Sequence, residues 1–118
     1  MSKYQPLAIA GAWEIAPDTY GPEGRSVVDV CRFAELAEHV TGDDFRPGQI
    51  LAATSALGVL RGVHYRADQS KLAICVAGAI LDVVVDLRVD SLTFGQWCAV
   101  ELDDVTRHAV YIAPGLGH

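Results

Sequence analysis

The sequence predicts an all-β domain, an antiparallel sandwich or barrel with one short helix. Three observations predict this class. Short apolar segments follow one another closely after residue 48, and polar or Gly/Pro turns separate them. Residues 81–88 alternate strictly between two faces, as a strand does. Residues 33–40 alone carry the three-to-four-residue apolar period of a helix.

Length and composition limit the classes of protein that this chain can represent. Its 118 residues fit a single domain over 1–118, and 51% hydrophobic with 20% charged residues is typical of a globular protein. The formal net charge of −6 opposes general binding to nucleic acid, which requires a basic face. An apolar run of membrane-spanning length and an N-terminal signal pattern are both lacking. We therefore expect a cytoplasmic protein with neither membrane nor nucleic-acid partners.

The three cysteines favour neither a metal site nor a redox site. Cys31, Cys75 and Cys98 are far apart, and the chain contains no C-x-x-C. Cys75 and Cys98 lie in apolar, strand-like runs, where a cysteine is usually a small buried hydrophobe.

The first third of the chain predicts two strand regions and the helix. Residues 4–16 read as strand with a glycine break, 17–24 as a loop, and 25–32 as a short strand. Four residues at helical spacing then form one apolar face, and Gly42 follows as a C-terminal stop. These four are Phe33, Leu36, Ala37 and Val40.

The rest of the chain predicts strands. The six predicted strands are 48–56, 58–65, 71–78, 79–89, 94–102 and 108–115, with Gly78 at a hairpin turn. In "LDVVVDLR", one face is wholly apolar and the other carries Asp82, Val84, Asp86 and Arg88. We expect Asp86 and Arg88, near the strand end, to be solvated charges.

The segment "GVLRGVHY" combines an apolar strand pattern with two polar side chains, Arg61 and His64. A buried cation without a partner is costly, so the pattern suggests either satisfied structural polar groups or the wall of a pocket. Residues three apart point to opposite faces of a regular strand. Both can face one pocket only if the strand is irregular, and Gly62 is where we expect a bulge.

Four motifs resemble those of a known family. "GVLRGVHY", "QSKLAICVAGAILDVVVDLR", "SLTFGQW" and "VYIAPGLGH" are similar, in order and spacing, to motifs of the dTDP-4-dehydrorhamnose 3,5-epimerases and the related 3- and 5-epimerases of antibiotic deoxysugars. The resemblance implies a cupin-type jelly roll, a homodimer, and no metal or redox cofactor. It also implies a dTDP-4-keto-6-deoxyhexose substrate, epimerised at C3, C5 or both by proton abstraction next to the C4 ketone.

The resemblance also implies site residues. His64 matches the general base, Lys71 the lysine near the C4 oxygen, and Asp82 an aspartate that orients this lysine. The residues matched to substrate binding are Arg61, His118, Gln49, Asp29 and Arg25. Independent chemistry supports the base, because histidine titrates near neutral pH and an enolate requires a nearby cation. The short turn "RADQS" predicts adjacent strands for His64 and Lys71.

Departures from the family pattern keep two alternatives open. Leu51 and Ala53 stand where the family has Asn and Ser. Family chains continue beyond the motif that ends at His118, so the resemblance implies a domain that lacks the C-terminal part of the fold, with the acid tyrosine and the aspartate that pairs with the base. A sugar-nucleotide-binding module without turnover is therefore one alternative. A metal-dependent cupin is the other, although the chain lacks H-x-H.

Overall fold

The computed structural model describes residues 3–22, 27–43 and 45–118, and it has two antiparallel sheets that share one core. The strands are β1 (Tyr4–Pro6), β2 (Ala12–Ile15), β3 (Asp18–Tyr20), β4 (Val27–Asp29), β5 (Lys71–Ile74), β6 (Ala79–Asp86), β7 (Trp97–Asp103), β8 (Ala109–Ile112) and β9 (Leu116–Gly117). A short helix, α1 (Phe33–Leu36), continues into a π-helical turn, Ala37–Thr41. The predicted all-β class with one short helix is confirmed.

The sheet topology interleaves distant parts of the chain. One sheet has the order β1-β2-β8-β5, the other β7-β6-β9, and β3 and β4 form a separate two-stranded ribbon. Every pairing within these sheets is antiparallel. No helix among the described residues is long and apolar enough to cross a bilayer.

The main hydrophobic core lies between the two sheets. Residues of both contribute to it: Ile9, Ala12, Cys75, Val84, Val100, Leu102, Val110, Ile112 and Leu116. A second cluster lies on the other face of the four-stranded sheet, where the helix covers Ile15 and Tyr111 with Leu36. Cys75 is buried as expected, and the four-stranded sheet has both of its faces covered.

The helix begins and ends where the sequence predicts. Leu36 is fully buried at its centre. Gly42 takes a left-handed φ of 73°, and its N–H donates to the carbonyl of Ala37 at 2.8 Å, which closes the last turn. The glycine break in residues 4–16 is also confirmed, since Gly11 turns the chain between β1 and β2 with a φ of 87°. Residues 17–24 were predicted as loop, but 18–20 pair with β4 as strand β3.

Two of the predicted strands are wrong. Residues 48–56 form no strand, and 58–65 meet a sheet only at Tyr65, which bridges Gly117. Apolar side chains of both segments are exposed, with Ile50 at 90% and Leu60 at 86%. Gly58 and Gly62 have φ values of 83° and 116°, which interrupt the extended backbone that a ladder requires. In these two segments, therefore, apolar side chains do not indicate a buried strand.

The predicted hairpin at Gly78 is also wrong. Gly78 does turn the chain, with a φ of 80°. However, β5 pairs with β8 while β6 pairs with β7 and β9, so the turn carries the chain from one sheet to the other.

Strand β6 buries the face that carries its two aspartates. Asp82, Val84 and Asp86 are buried, whereas Leu81 is 61% exposed and Val83 38% exposed. The predicted alternation is correct, but the assignment of Asp86 and Arg88 to solvent is wrong. We call the exposed side of β6 and β7 the outer face; it carries Leu81, Val83, Trp97 and Ala99.

The buried carboxylate of Asp86 is fully satisfied. It accepts hydrogen bonds from Arg88 Nε at 2.9 Å, from Ser91 Oγ at 2.6 Å and from the Thr93 hydroxyl. The Arg88 guanidinium, with help from the two hydroxyls, holds the pKa of Asp86 well below its usual value. Arg88 also donates to the carbonyl of Ala10. This cluster closes the turn that leads from β6 to β7.

Candidate active site

The site begins with a pair of histidines at one end of the three-stranded sheet. His64 N–H donates to the carbonyl of His118 at 2.8 Å, and His118 N–H donates to the carbonyl of His64 at 3.0 Å. Two residues that exchange both backbone hydrogen bonds lie directly opposite each other, about 5.5 Å apart at Cα, with side chains on the same side. The two imidazoles therefore share one face, and Tyr65 and Gly117 share the other.

His118 is held by a buried carboxylate. Its Nδ1 lies 3.1 and 3.2 Å from the two carboxylate oxygens of Asp82. Asp82 is 8% exposed and lies on the inward face of β6. This contact shows that the face shared by the two imidazoles is the inward one. The sequence expectation had paired Asp82 with Lys71, and the described contacts join it to His118 instead.

Lys71 reaches the same interior from the opposite sheet. It pairs with Ile112 in the register of β5 and β8, so both side chains lie on one face of the sheet. Ile112 is 2% exposed in the core between the sheets, which places Lys71 on the inward face as well. The expectation that His64 and Lys71 lie on adjacent strands is wrong, because the His64 segment meets β9 while β5 meets β8.

The backbone is irregular at Gly62, with a φ of 116°, but the expected bulge is absent because no strand forms around this residue. A Cβ on Gly62 would lie 2.7 Å from the His118 carbonyl oxygen, so only glycine fits beside the histidine pair. The Arg61 side chain turns to the neighbouring loop, where Nε donates to Ser55 Oγ at 2.7 Å and Nη2 donates to the Thr54 carbonyl at 2.9 Å. Arg61 is exposed, and its side-chain hydrogen bonds go to this loop instead of to His64.

The remaining predicted binding residues lie elsewhere. Gln49 is exposed in the irregular segment before residue 58. Asp29 ends β4 and accepts a hydrogen bond from Arg32 Nε at 2.6 Å, so an arginine of the chain already occupies that carboxylate. Arg25 lies outside the described residues.

The Asp82–His118 contact is the feature that the sequence interpretation missed. The parity of "LDVVVDLR" contains the signal, since it places Asp82 on the same face as Val84. Recognising it requires knowing that Val84 faces the core and that the chain returns beside β6 at 116–117. The described residues contain no group of three or more His, Cys, Asp or Glu placed to hold a metal ion.

Comparison with known proteins assigns the family. The family model described as dTDP-4-dehydrorhamnose 3,5-epimerase matches residues 6–118. The chain belongs to this family. A relative from Mycolicibacterium smegmatis, dTDP-4-dehydrorhamnose 3,5-epimerase, is 49% identical over 95% of the chain and 57% of the relative.

Solved epimerases share the fold. NovW, a 4-keto-6-deoxy sugar epimerase from the novobiocin gene cluster of Streptomyces spheroides, is 42% identical with a TM-score of 0.91 over 98% of this chain and 59% of NovW. ChmJ, a 3'-monoepimerase from Streptomyces bikiniensis solved with dTDP-quinovose, is 39% identical with a TM-score of 0.88 over 96% and 58%. The cupin-type jelly roll implied by the sequence motifs is confirmed. The chain spans a little under three fifths of these epimerases.

The inward faces of the two sheets thus carry a set of groups that are suited to proton transfer. One sheet end contributes two imidazoles and a buried carboxylate, and the other sheet contributes a primary amine. Proton acceptors beside cationic hydrogen-bond donors are the groups that enolate chemistry requires.

Proposed function

We propose that the chain carries the proton-abstraction site of an epimerase that acts on a dTDP-4-keto-6-deoxyhexose in deoxysugar biosynthesis, at C3, C5 or both. The observation that carries this proposal is the His64–His118 pair, in which the two imidazoles share the inward face and Asp82 contacts the imidazole of His118. Membership of the epimerase family supplies the substrate class.

Each group has a distinct role in this reaction. His64 removes the proton next to the ketone, because a neutral imidazole is a base near pH 7. The electron pair of the broken C–H bond forms the enolate, and charge develops on the C4 oxygen. The Lys71 ammonium on the facing sheet stabilises that oxygen. Solvent water then protonates the carbon from the opposite face as the ketone re-forms, which inverts the carbon, and His64 releases its proton to solvent.

Substrate binding is assigned to exposed groups around the site. We place the anionic diphosphate near Arg61, whose guanidinium is exposed beside the histidine segment. Gln49, Asp29 and Arg25 are proposed to contact the nucleotide, on the family resemblance alone. For Asp29 to do so, the nucleotide must share the carboxylate with Arg32 or displace it.

Deuterium exchange tests the reaction directly. The chain is incubated with the dTDP-4-keto-6-deoxyhexose in deuterated water, and label at C3 and C5 is followed by NMR. We expect label at one or both carbons, and a loss of about 10²–10⁴-fold in His64→Asn. The control is His39→Asn, an exposed histidine of the helical turn. No label at either carbon would contradict the proposal, and label that survives His64→Asn would contradict the assignment of the base.

A binding module without turnover is the second candidate. It is favoured by the exposure of His64, whose side chain has no carboxylate partner among the described residues. Binding of dTDP in calorimetry without exchange in the same preparation would select this function.

We further propose a homodimer, the assembly implied by the family resemblance. The folded chain exposes 8025 Å², whereas a monomer of this mass is expected to expose roughly 6,200 Å². The excess of roughly 1,800 Å² per chain is about twice what each partner buries in a standard interface, and corresponds to the larger interfaces of obligate dimers. Much of it is apolar, including Trp97 on the outer face, which is 67% exposed. Sedimentation velocity of the chain and of Trp97→Glu tests this, and a chain that sediments as a monomer at all concentrations would contradict it.

The cytoplasm is proposed as the compartment. Cys31, Cys75 and Cys98 are all unpaired, as is usual where thiols are kept reduced.

A further inference from the structure

We infer that Arg32 is a positioning residue for nucleotide binding, which fixes the Asp29 carboxylate so that one of its oxygens stays open to a hydrogen-bond donor of the nucleotide. This inference rests on the proposed function, in which Asp29 contacts the nucleotide, and deepens it. The sequence motifs did not point to Arg32, because its partners come together only where β3, β4 and the helix meet.

The ribbon of β3 and β4 places two carboxylates opposite each other. Asp18 and Asp29 are direct partners in its register, so their side chains lie on one face, about 4.5–5.5 Å apart at Cβ. Like charges at this distance repel, and each carboxylate has its own cation. Lys3 Nζ lies 2.6 Å from Asp18 Oδ2. Arg32 Nε lies 2.6 Å from Asp29 Oδ2. Without Arg32, repulsion from Asp18 would turn the Asp29 carboxylate away from its present position.

The Arg32 guanidinium has a partner on each of three elements. Its Nε donates to Asp29 of β4, and its Nη2 donates to the Tyr20 hydroxyl of β3 at 3.2 Å. Its Nη1 lies 3.7 Å from Glu35 Oε1 of the helix. The planar fork of an arginine can serve several partners at once with little loss of side-chain freedom. Arg32 is therefore held in place by the fold, although its side chain is 53% exposed.

Lys3 braces the helix side of this network. Its Nζ also donates to Glu35 Oε2 at 2.9 Å, and the Tyr4 hydroxyl donates to the same oxygen at 3.2 Å. The hydrogen bond from Lys3 is the main reason why the pKa of Glu35 lies below its usual value, so Glu35 is ionised where it meets Arg32. A continuous network of charges therefore runs from one carboxylate of the ribbon to the other.

The Asp29 carboxylate keeps one oxygen for a ligand. Arg32 takes Oδ2, and the contacts among the described residues include none to Oδ1. The Asp29 side chain is 26% exposed, so a molecule at the ribbon can reach it. A carboxylate oxygen accepts hydrogen bonds from hydroxyl and N–H groups, and a nucleotide carries such donors on its sugar and its base. Because each nitrogen of Arg32 already has a partner, its role is to orient Asp29 and not to bind the diphosphate.

A double-mutant cycle, measured by calorimetry with dTDP, tests this assignment. We expect Asp29→Ala and Arg32→Gln each to weaken dTDP binding by about tenfold, since each removes the oriented, charged acceptor. Because Arg32 acts through Asp29, adding Arg32→Gln to Asp29→Ala should change the affinity further by less than about twofold. Arg32→Lys should have an intermediate affinity, because an ammonium keeps the charge but loses the fork.

The exchange assay supplies a second readout. The ribbon serves the nucleotide and not the reacting carbons, so Arg32→Gln should raise KM about tenfold and leave the maximal rate within about twofold. Arg107→Gln is the control, because Arg107 is also exposed but its Nε donates to a backbone carbonyl, that of Asp104, at 3.0 Å. The control should change neither affinity nor rate. A circular dichroism melt of each variant separates loss of fold from loss of binding.

The outcomes separate the inference from the proposed function. Additive losses in the cycle would make Arg32 a direct ligand of the diphosphate, and a normal affinity of Arg32→Gln would make it a purely structural residue; either result overturns the inference. A normal affinity of Asp29→Ala overturns it as well. A wild-type chain that binds dTDP but labels no carbon contradicts the proposed reaction, and the cycle then still decides the role of Arg32. A wild-type chain that does not bind dTDP contradicts both.

Discussion

Asp82 and Asp86 lie four residues apart on the same inward face of β6, yet their surroundings differ completely. Asp86 is saturated by Arg88, Ser91 and Thr93, all within seven residues of it in sequence. Asp82 has one described side-chain partner, His118, which is 36 residues away. The first carboxylate is a structural group that closes a turn, whereas the second contacts an imidazole of the proposed site.

This difference gives a way to distinguish a buried carboxylate that stabilises the fold from one that positions a functional group. A buried carboxylate that stabilises the fold has every lone pair occupied by local donors, so removing it damages the chain itself. A carboxylate that orients one imidazole leaves that imidazole with a free ring nitrogen for a ligand. Substitutions at the two positions should therefore separate stability from activity.

The largest expected effect follows from Asp86→Ala. The substitution leaves the Arg88 guanidinium and two hydroxyls without their acceptor, and we expect the free energy of unfolding to fall by about 3 kcal/mol. The measurement is a urea titration followed by circular dichroism. Asp68→Ala is the matched control, because Asp68 also pairs with an arginine two residues away but is 70% exposed. Asp68→Ala should leave the urea midpoint almost unchanged, and equal losses at both positions would contradict a structural role for Asp86.

Lowering the pH should also remove the stabilisation that Asp86 provides, with a smaller effect than Asp86→Ala. Hydrogen bonds from Arg88 hold the pKa of Asp86 well below that of the unfolded chain, which is about 3.9. Its contribution to stability is complete above that value and is lost as the pH falls further, toward the pKa of the folded state. Urea midpoints between pH 5 and pH 2.5 should fall more steeply for the wild-type chain than for Asp86→Asn. Parallel curves would show that other groups govern acid unfolding.

The fold class, the helix and the residue types of the site could be predicted from the sequence. Periodicity identified the helix that ends at Gly42 and the alternation of β6, because both depend on local geometry. The motif resemblance gave the jelly roll and named His64 and Lys71. Which residues His64 and Lys71 contact depends on the long-range topology of the sheets, and local sequence patterns do not indicate that topology.

Two failures show this limit most clearly. Residues 58–65 have the composition of a core strand, but burial requires neighbours, and Leu60 in this segment is 86% exposed. The alternation of β6 predicts two faces but not which of them meets the second sheet. Asp86 and Arg88 are expected to be solvated because they lie near the end of the predicted strand. The donors around Asp86 made its burial possible.

Gly62→Ala should weaken the two backbone hydrogen bonds between His64 and His118, and the loss of stability should be moderate. The new Cβ would lie 2.7 Å from the His118 carbonyl oxygen at a φ of 116°, and such a conformation costs a side chain about 1–3 kcal/mol. We expect the amide hydrogens of His64 and His118 to exchange with solvent at least tenfold faster, as measured by NMR. Gly58→Ala is the control, since its φ is also positive but nothing lies near the added methyl group. Unchanged protection of His64 in Gly62→Ala would contradict the close packing.

The smallest effect is expected on the outer face, where adjacent residues provide a matched pair. Val84 is fully buried and Val83 is 38% exposed. Val84→Thr places a hydroxyl in the core between the sheets and should cost about 1–3 kcal/mol. Val83→Thr should change the free energy of unfolding by less than about 0.5 kcal/mol.

If a second copy covers the outer face, the midpoint of unfolding will depend on protein concentration, and Val83→Thr will reduce that dependence. Urea titrations at two concentrations measure both quantities, and equal costs for the two variants at the lower concentration would show that the outer face is part of the core.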